Sequence, residues 1–133
     1  MNFKELCEHL ENKIQDSYNN GVTSEQAEAL AGEFLYAQLQ VSSELKKADL
    51  DSRMRKTGVK AVRAAIYMDA ATKTDKKPSD VLLEAVVNQN EVVQGEQNAF
   101  DKAEVSRDEL SRLFSVFKES HIHFRGIAKG RFE

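Results

Sequence analysis

Apolar residues recur at steps of three and four over most of the chain. Phe3, Leu6, Leu10 and Ile14 mark a short helix over residues 1–20, closed by "NNG" at Asn19 to Gly21. "TSEQAEAL" starts a second helix, in which Thr23 or Ser24 caps the free amides and Glu25 to Glu28 suit the first turn. No strong breaker follows until about Ala71; Gly32 and Gly58 each cost about 1 kcal/mol relative to alanine. Residues 23–71 therefore read as one helix, continuous or bent at either glycine and roughly 70 Å long at about 1.5 Å per residue. "TKTDKKPS" (Thr72 to Ser79) is a polar loop holding the single proline, Pro78. A short helix over residues 79–88 follows, capped by Ser79 or Asp80 and broken by "NQN" at Asn88 to Asn90. In residues 90–131, Val93, Phe100, Arg107, Phe114, His121 and Ala128 stand seven apart, interleaved with Glu96, Ala103, Leu110, Phe117 and Phe124. That spacing is a helix with a narrow seam in the coiled-coil style, weakened in its first half by Glu96 and Arg107.

The pattern predicts an all-α fold: one domain over residues 1–133, with two long helices and short N-terminal and central ones. A hairpin of two narrow seams leaves its flanks wet, so Phe114, Phe117, Phe124 and Ile127 are expected to stay partly exposed. Association with further copies covers them, and closed rotational symmetry makes the expected assembly a helical homo-oligomer, a ring. The alternative is a compact monomeric bundle.

Composition agrees with long helices: 133 residues, 41% hydrophobic and 31% charged, without tryptophan. The formal charge of −3 conceals segregation, because residues 1–33 carry −5, residues 44–77 carry +5 and residues 80–109 carry −6. The first residues, "MNFKELCEHLENKI", are polar and amphipathic and lack the apolar run of a signal peptide or membrane span. A lone Cys7 has no intramolecular disulfide partner. Together these predict a soluble, unexported protein of a reducing cytoplasm, with Cys7 an idle thiol.

Signals for catalysis, cofactors or metals are poor. His121 and His123 in "HIH" are two apart, and on a helix such residues point in nearly opposite directions. "DLD" at Asp49 to Asp51 lacks the remaining ligands and the glycine of a calcium loop, and "AKGR" lacks the spaced glycines of a phosphate loop. No pair of acids is fixed in a cleft by anything in the sequence, so a non-enzymatic protein without cofactor or metal is expected.

The basic segment "RMRKTGVKAVRAAIYM" (residues 53–68) is the most informative stretch. At about 100° per residue, Arg53, Lys56, Lys60, Arg63 and Tyr67 fall within roughly one quadrant of the helix. Leu50, Met54, Ala61, Ala65 and Met68 occupy a neighbouring sector, expected to pack, with Ala61, Ala64 and Ala65 admitting a close helix. A row of cations neutralises phosphates without sequence preference, and an aromatic in the row offers a platform for an unpaired base. The same run also serves as a solvated face if Glu44, Asp49 and Asp51 pair with it. Lys118, Ile122, Arg125 and Lys129 form a fainter basic face leading to a tail with Arg131 and Phe132.

From about Tyr36 onward the chain resembles the UvsY type of phage recombination mediator. The resemblance lies in the order of elements: the basic helix "KKADLDSRMRKTGVKAVRAAIYMDA", the loop "TKTDKKPS", the helix "SDVLLEAVV", the break "NQNEVV" and the closing helix ending in "FKESHIHFRGIAKGRF". It implies an all-helical ring that binds single-stranded DNA and helps load a RecA-like recombinase in homologous recombination and repair, competing with single-strand-binding protein, in the cytoplasm of an infected bacterial host. It also implies DNA contacts through Lys60, Arg63 and Tyr67, adjoined by Lys56 and Arg53, and oligomerisation through Leu110, Phe114, Phe117 and Phe124. The rival expectation is a helical adaptor or phage-encoded inhibitor that acts by protein contact without DNA.

Overall fold

Capping side chains set where the helices begin. In the computed structural model, which describes residues 1–73 and 78–130, α1 spans Phe3–Asn20. Asn2 Oδ1 accepts the Glu5 amide at 2.8 Å while the Asn2 amide donates to Glu5 Oε2 at 3.2 Å, a reciprocal capping box. Gly21 ends α1 at φ 71° and ψ 176°, donating its amide to the Ser17 carbonyl. That backbone region is open to glycine alone, which is why "NNG" is a stop. Thr23 and Gln26 exchange a second pair of amide-to-side-chain bonds at 2.9 and 3.2 Å, and α2 runs Ser24–Thr72 without interruption. Ser79 Oγ caps α3, Asp80–Gln89. Asn90 Oδ1 accepts the amides of Val92 and Val93 to start α4, Glu91–Ala128. All regular structure among the described residues is α-helical.

The chain divides into two compact units. The first comprises Met1–Lys46 with the described part of Glu109–Glu133, and the second is Lys47–Asp108. In the first unit, α1, the start of α2 and the end of α4 share one core. Phe34 stacks on Phe124 with ring centroids 5.5 Å apart and lies 5.7 Å from Phe117 at a tilt of 53°. Leu10, Ala27, Ala37, Val41 and Leu113 close around these rings, and Cys7 is buried among them. Burial pushes the Cys7 thiol above its ordinary range, with Glu11 adding to the shift, so the sulfur stays protonated and unreactive.

Phe117 and Phe124 are thus fully buried within one chain, whereas the sequence reading left them partly exposed. The hairpin argument omitted α1, whose Leu6, Leu10 and Ile14 supply the missing cover. Phe114 and Ile127 do remain partly buried at the edge of that core.

The second unit is built from the latter part of α2, α3 and the first part of α4. Among its described residues the buried side chains are Ser52, Val59, Leu83, Val87, Val93 and Ala103, a thinner core. Both polar seam positions of α4 are accommodated here. Glu96 lies over Gly58, where an added Cβ would stand 3.7 Å from its Oε2. Arg107 reaches Glu104 at 3.5 Å and Asp108 at 3.3 Å, with Asp49 of α2 at 4.0 Å.

Truncating Phe34 to alanine removes a ring from the centre of the first core and is expected to cost about 3–5 kcal/mol. Gly32→Ala places a methyl in open space and is expected to gain about 1 kcal/mol from helix propensity. Chemical denaturation of both variants measures the two effects against each other; equal midpoints would contradict the core assignment.

Candidate nucleic-acid interface

Helix α2 carries the predicted basic row as a regular structure, so its side chains emerge where helical spacing sends them. Their partners differ along the row. Arg53 is 76% exposed and pairs along its own helix with Asp49 at 3.0 Å. Arg55, on another side, binds Asp51 through Nε at 3.1 Å. Such exposed pairs four apart stabilise a helix by only about 0.3–0.5 kcal/mol, so a phosphate can displace them at small cost. Lys56 and Lys60 are exposed and have no acidic partner among the described residues.

Arg63 and Tyr67 stand differently. Arg63 Nη2 donates to Glu84 Oε2 at 3.2 Å and to Asn88 Oδ1 at 2.9 Å, while the Tyr67 hydroxyl donates to Asp80 Oδ1 at 2.9 Å. Asp80, Glu84 and Asn88 are spaced by four on α3 and form one polar stripe against two α2 residues also spaced by four. The five candidates keep a common sector of α2, but α3 covers its C-terminal part. Sequence reasoning missed these three partners. The signal was present as D-x3-E-x3-N, overlooked because α3 reads as an apolar helix.

The packing sector also differs from expectation. Leu50, Met54 and Met68 are 60%, 65% and 60% exposed, and Ala61 and Ala65 are exposed beside them. The side of α2 that packs carries Ser52 and Val59, with Val62 and Ile66 half-buried. Helix α2 is apolar on two sides, and periodicity cannot say which side faces the rest of its own chain.

Beside Arg63 lies an open hollow of about 320 Å³ lined by Asn88, Val93, Gln94, Gln97 and Asn98. Its walls carry amide donors and acceptors next to one guanidinium.

Of the residues expected to build an oligomer, Phe117 and Phe124 are buried in the first core, and Leu110 and Phe114 pack at its margin. In the same unit Lys118, Arg125 and Lys129 are exposed along one face of α4 with exposed Ile122 between them. None of the three cations has an acidic partner among the described residues. Arg131, Phe132 and the loop residues 74–77 lie outside the described residues.

His121 and His123 point apart as their spacing requires. His121 Nδ1 contacts the Ala31 carbonyl at 2.8 Å, which needs the proton on that nitrogen, whereas His123 is exposed and lies edge-on to Phe124. Among the described residues no three of His, Cys, Asp or Glu are grouped to hold a metal ion. Nor is any described helix long and apolar enough to cross a membrane.

No protein-family model, curated protein or solved structure matches the chain significantly.

The hydrogen bond to Asp80, with the charges of Asp80 and Glu84, raises the Tyr67 phenol above its ordinary value of 10.0. The neutral phenol is the donor, so the contact is present through the ordinary tyrosine range and is lost as pH rises through the raised value. In absorbance titrations, the transition missing from Tyr67→Phe is expected above pH 10. A missing transition at or below that point would dissolve the link to α3.

Proposed function

We propose that the protein is a non-catalytic recombination mediator: a self-associating helical protein that binds single-stranded DNA without sequence preference. In this reading it delivers the strand to a RecA-like recombinase in homologous recombination and repair, in competition with single-strand-binding protein. One observation carries the DNA half. Among the described residues, Lys56 and Lys60 stand exposed on α2 without an acidic partner, next to Arg53, whose acid contact there is a weak pair on its own helix. Phosphates meeting that edge displace no buried interaction and release condensed counterions.

The geometry changes the roles within the row. Lys56, Lys60 and Arg53 make the first contacts. Arg63 and Tyr67 are held by Glu84, Asn88 and Asp80 and join only by exchanging these partners. The amide-lined hollow beside Arg63 supports a preference for single strands, since Asn and Gln side chains match the edges of an unstacked base. One protomer's edge is short, so affinity comes from several copies engaging one strand in a homo-oligomeric ring. Recombinase loading and a phage origin rest on the resemblance in element order alone.

A second reading, a helical adaptor or inhibitor without DNA, is favoured by one feature: Leu82 and Val86, four apart on α3, are exposed apolar side chains.

A salt-dependent mobility shift separates the two. Wild-type protein is expected to bind oligo-dT more tightly than duplex of equal length. Lys56→Ala combined with Lys60→Ala should weaken binding and flatten the logarithmic salt slope by about 1.4, at about 0.7 per phosphate contact on single strands. An unchanged slope in the double variant would refute this placement, and wild-type binding to neither form would leave the adaptor.

A further inference from the structure

The second unit is close to inside-out. Its large buried apolar residues are Val59, Leu83, Val87 and Val93, whereas Leu50, Met54, Met68, Val81, Leu82, Val86, Val92 and Val105 are exposed. Scattered exposed hydrophobes are ordinary, but contiguous ones mark a contact surface. Leu50, Met54 and Met68 align at helical spacing on the side of α2 turned away from Val59. Leu82 and Val86, four apart, form a second exposed patch on the flank of α3 beside Leu83 and Val87.

Charge tells the two patches apart. The α2 part of this unit, residues 47–73, carries seven Lys or Arg against three Asp, and residues 80–108 carry two against seven Asp or Glu. Exposed Lys56 and Lys60 represent the first layer; exposed Glu91 and Asp101 represent the second and have no cation partner among the described residues. A symmetric contact of α2 on α2, or of α3 on α3, would bring like charge against like. A contact between unlike layers joins apolar patch to apolar patch and positive to negative.

We infer that the exposed α2 face of one copy (Leu50, Met54, Met68) docks on the exposed α3 flank (Leu82, Val86) of a second copy of this chain, head to tail. Such heterologous contacts leave one free face at each end of any short assembly, so they close into a ring or extend as a filament. The cations flanking the α2 patch recur at every step. This inference rests on the assembly half of the reading above and does not require DNA.

Light scattering coupled to size-exclusion chromatography tests it. Wild-type protein is expected to form assemblies larger than one chain that shrink as salt rises. Leu50→Glu with Met54→Glu blocks one face, Leu82→Lys with Val86→Lys blocks the other, and each double variant alone should run at the mass of one chain, 15.0 kDa. Mixed in equal amounts they should give a species of twice that mass, because each retains the face that the other lacks. The milder pairs Leu50→Ser with Met54→Ser and Leu82→Ser with Val86→Ser replace any charged variant whose helical circular dichroism is lost. A monomeric wild type, wild-type assembly by either double variant alone, or a mixture that stays monomeric would overturn the inference. Oligo-dT binding is read separately, so intact assembly without DNA binding sinks only the DNA half of the proposed function.

Discussion

A helix with apolar residues on two sides cannot bury them all against one neighbouring layer. Helix α2 imposes that constraint over 49 residues. In the first unit α1 and the end of α4 meet Ala27, Leu30, Phe34, Ala37 and Val41, three aromatic rings fill the middle, and Leu35, Tyr36 and Leu39 stay exposed on another side. In the second unit α3 and the start of α4 cover the side with Ser52 and Val59 and leave Leu50, Met54 and Met68 exposed. A module with so thin a core is marginal by itself, and small folds in that position commonly gain stability by association.

The same geometry sorts the cations. Exposed lysines contribute little to the fold and are available to anions, while Arg63 on the flank of the packed side meets Glu84 and Asn88. The Arg63 and Glu84 side chains remain about a third and a half exposed, so water screens the pair and its net worth is at most about 1 kcal/mol. A contact of that strength orients α3 yet can be exchanged. Basic residues on one helix thus divide into two groups, one open to phosphate and one first tied to the protein's own acids. Sequence charge alone does not draw that division.

Much of the fold was legible in the chain. The capping residues Thr23, Ser79 and Asn90 and the stop at Gly21 act through hydrogen bonds and backbone angles within a few residues of themselves. Local interactions of that kind are complete in the sequence, and the four helices follow from them. The seven-residue seam of α4 was equally readable: from Val93 to Ala128 its positions are buried or half-buried, Arg107 and Glu96 included. The basic row was legible as a sector of α2, because a sector depends only on helical pitch.

What the sequence left open was which sector faces which neighbour. Periodicity is unchanged by rotating a helix about its axis, so Leu50, Met54 and Met68 read as a packing face as convincingly as Val59, Val62 and Ile66. Only assembled neighbours break that degeneracy, and they settle it for the second set. The fates of Phe117 and Phe124, closed over by α1, and of Arg63 and Tyr67, met by an acidic stripe 13 to 25 residues further along, are long-range outcomes of the same kind. They were decided by tertiary structure because burial and pairing belong to two surfaces at once, and a sequence displays only one of them at a time.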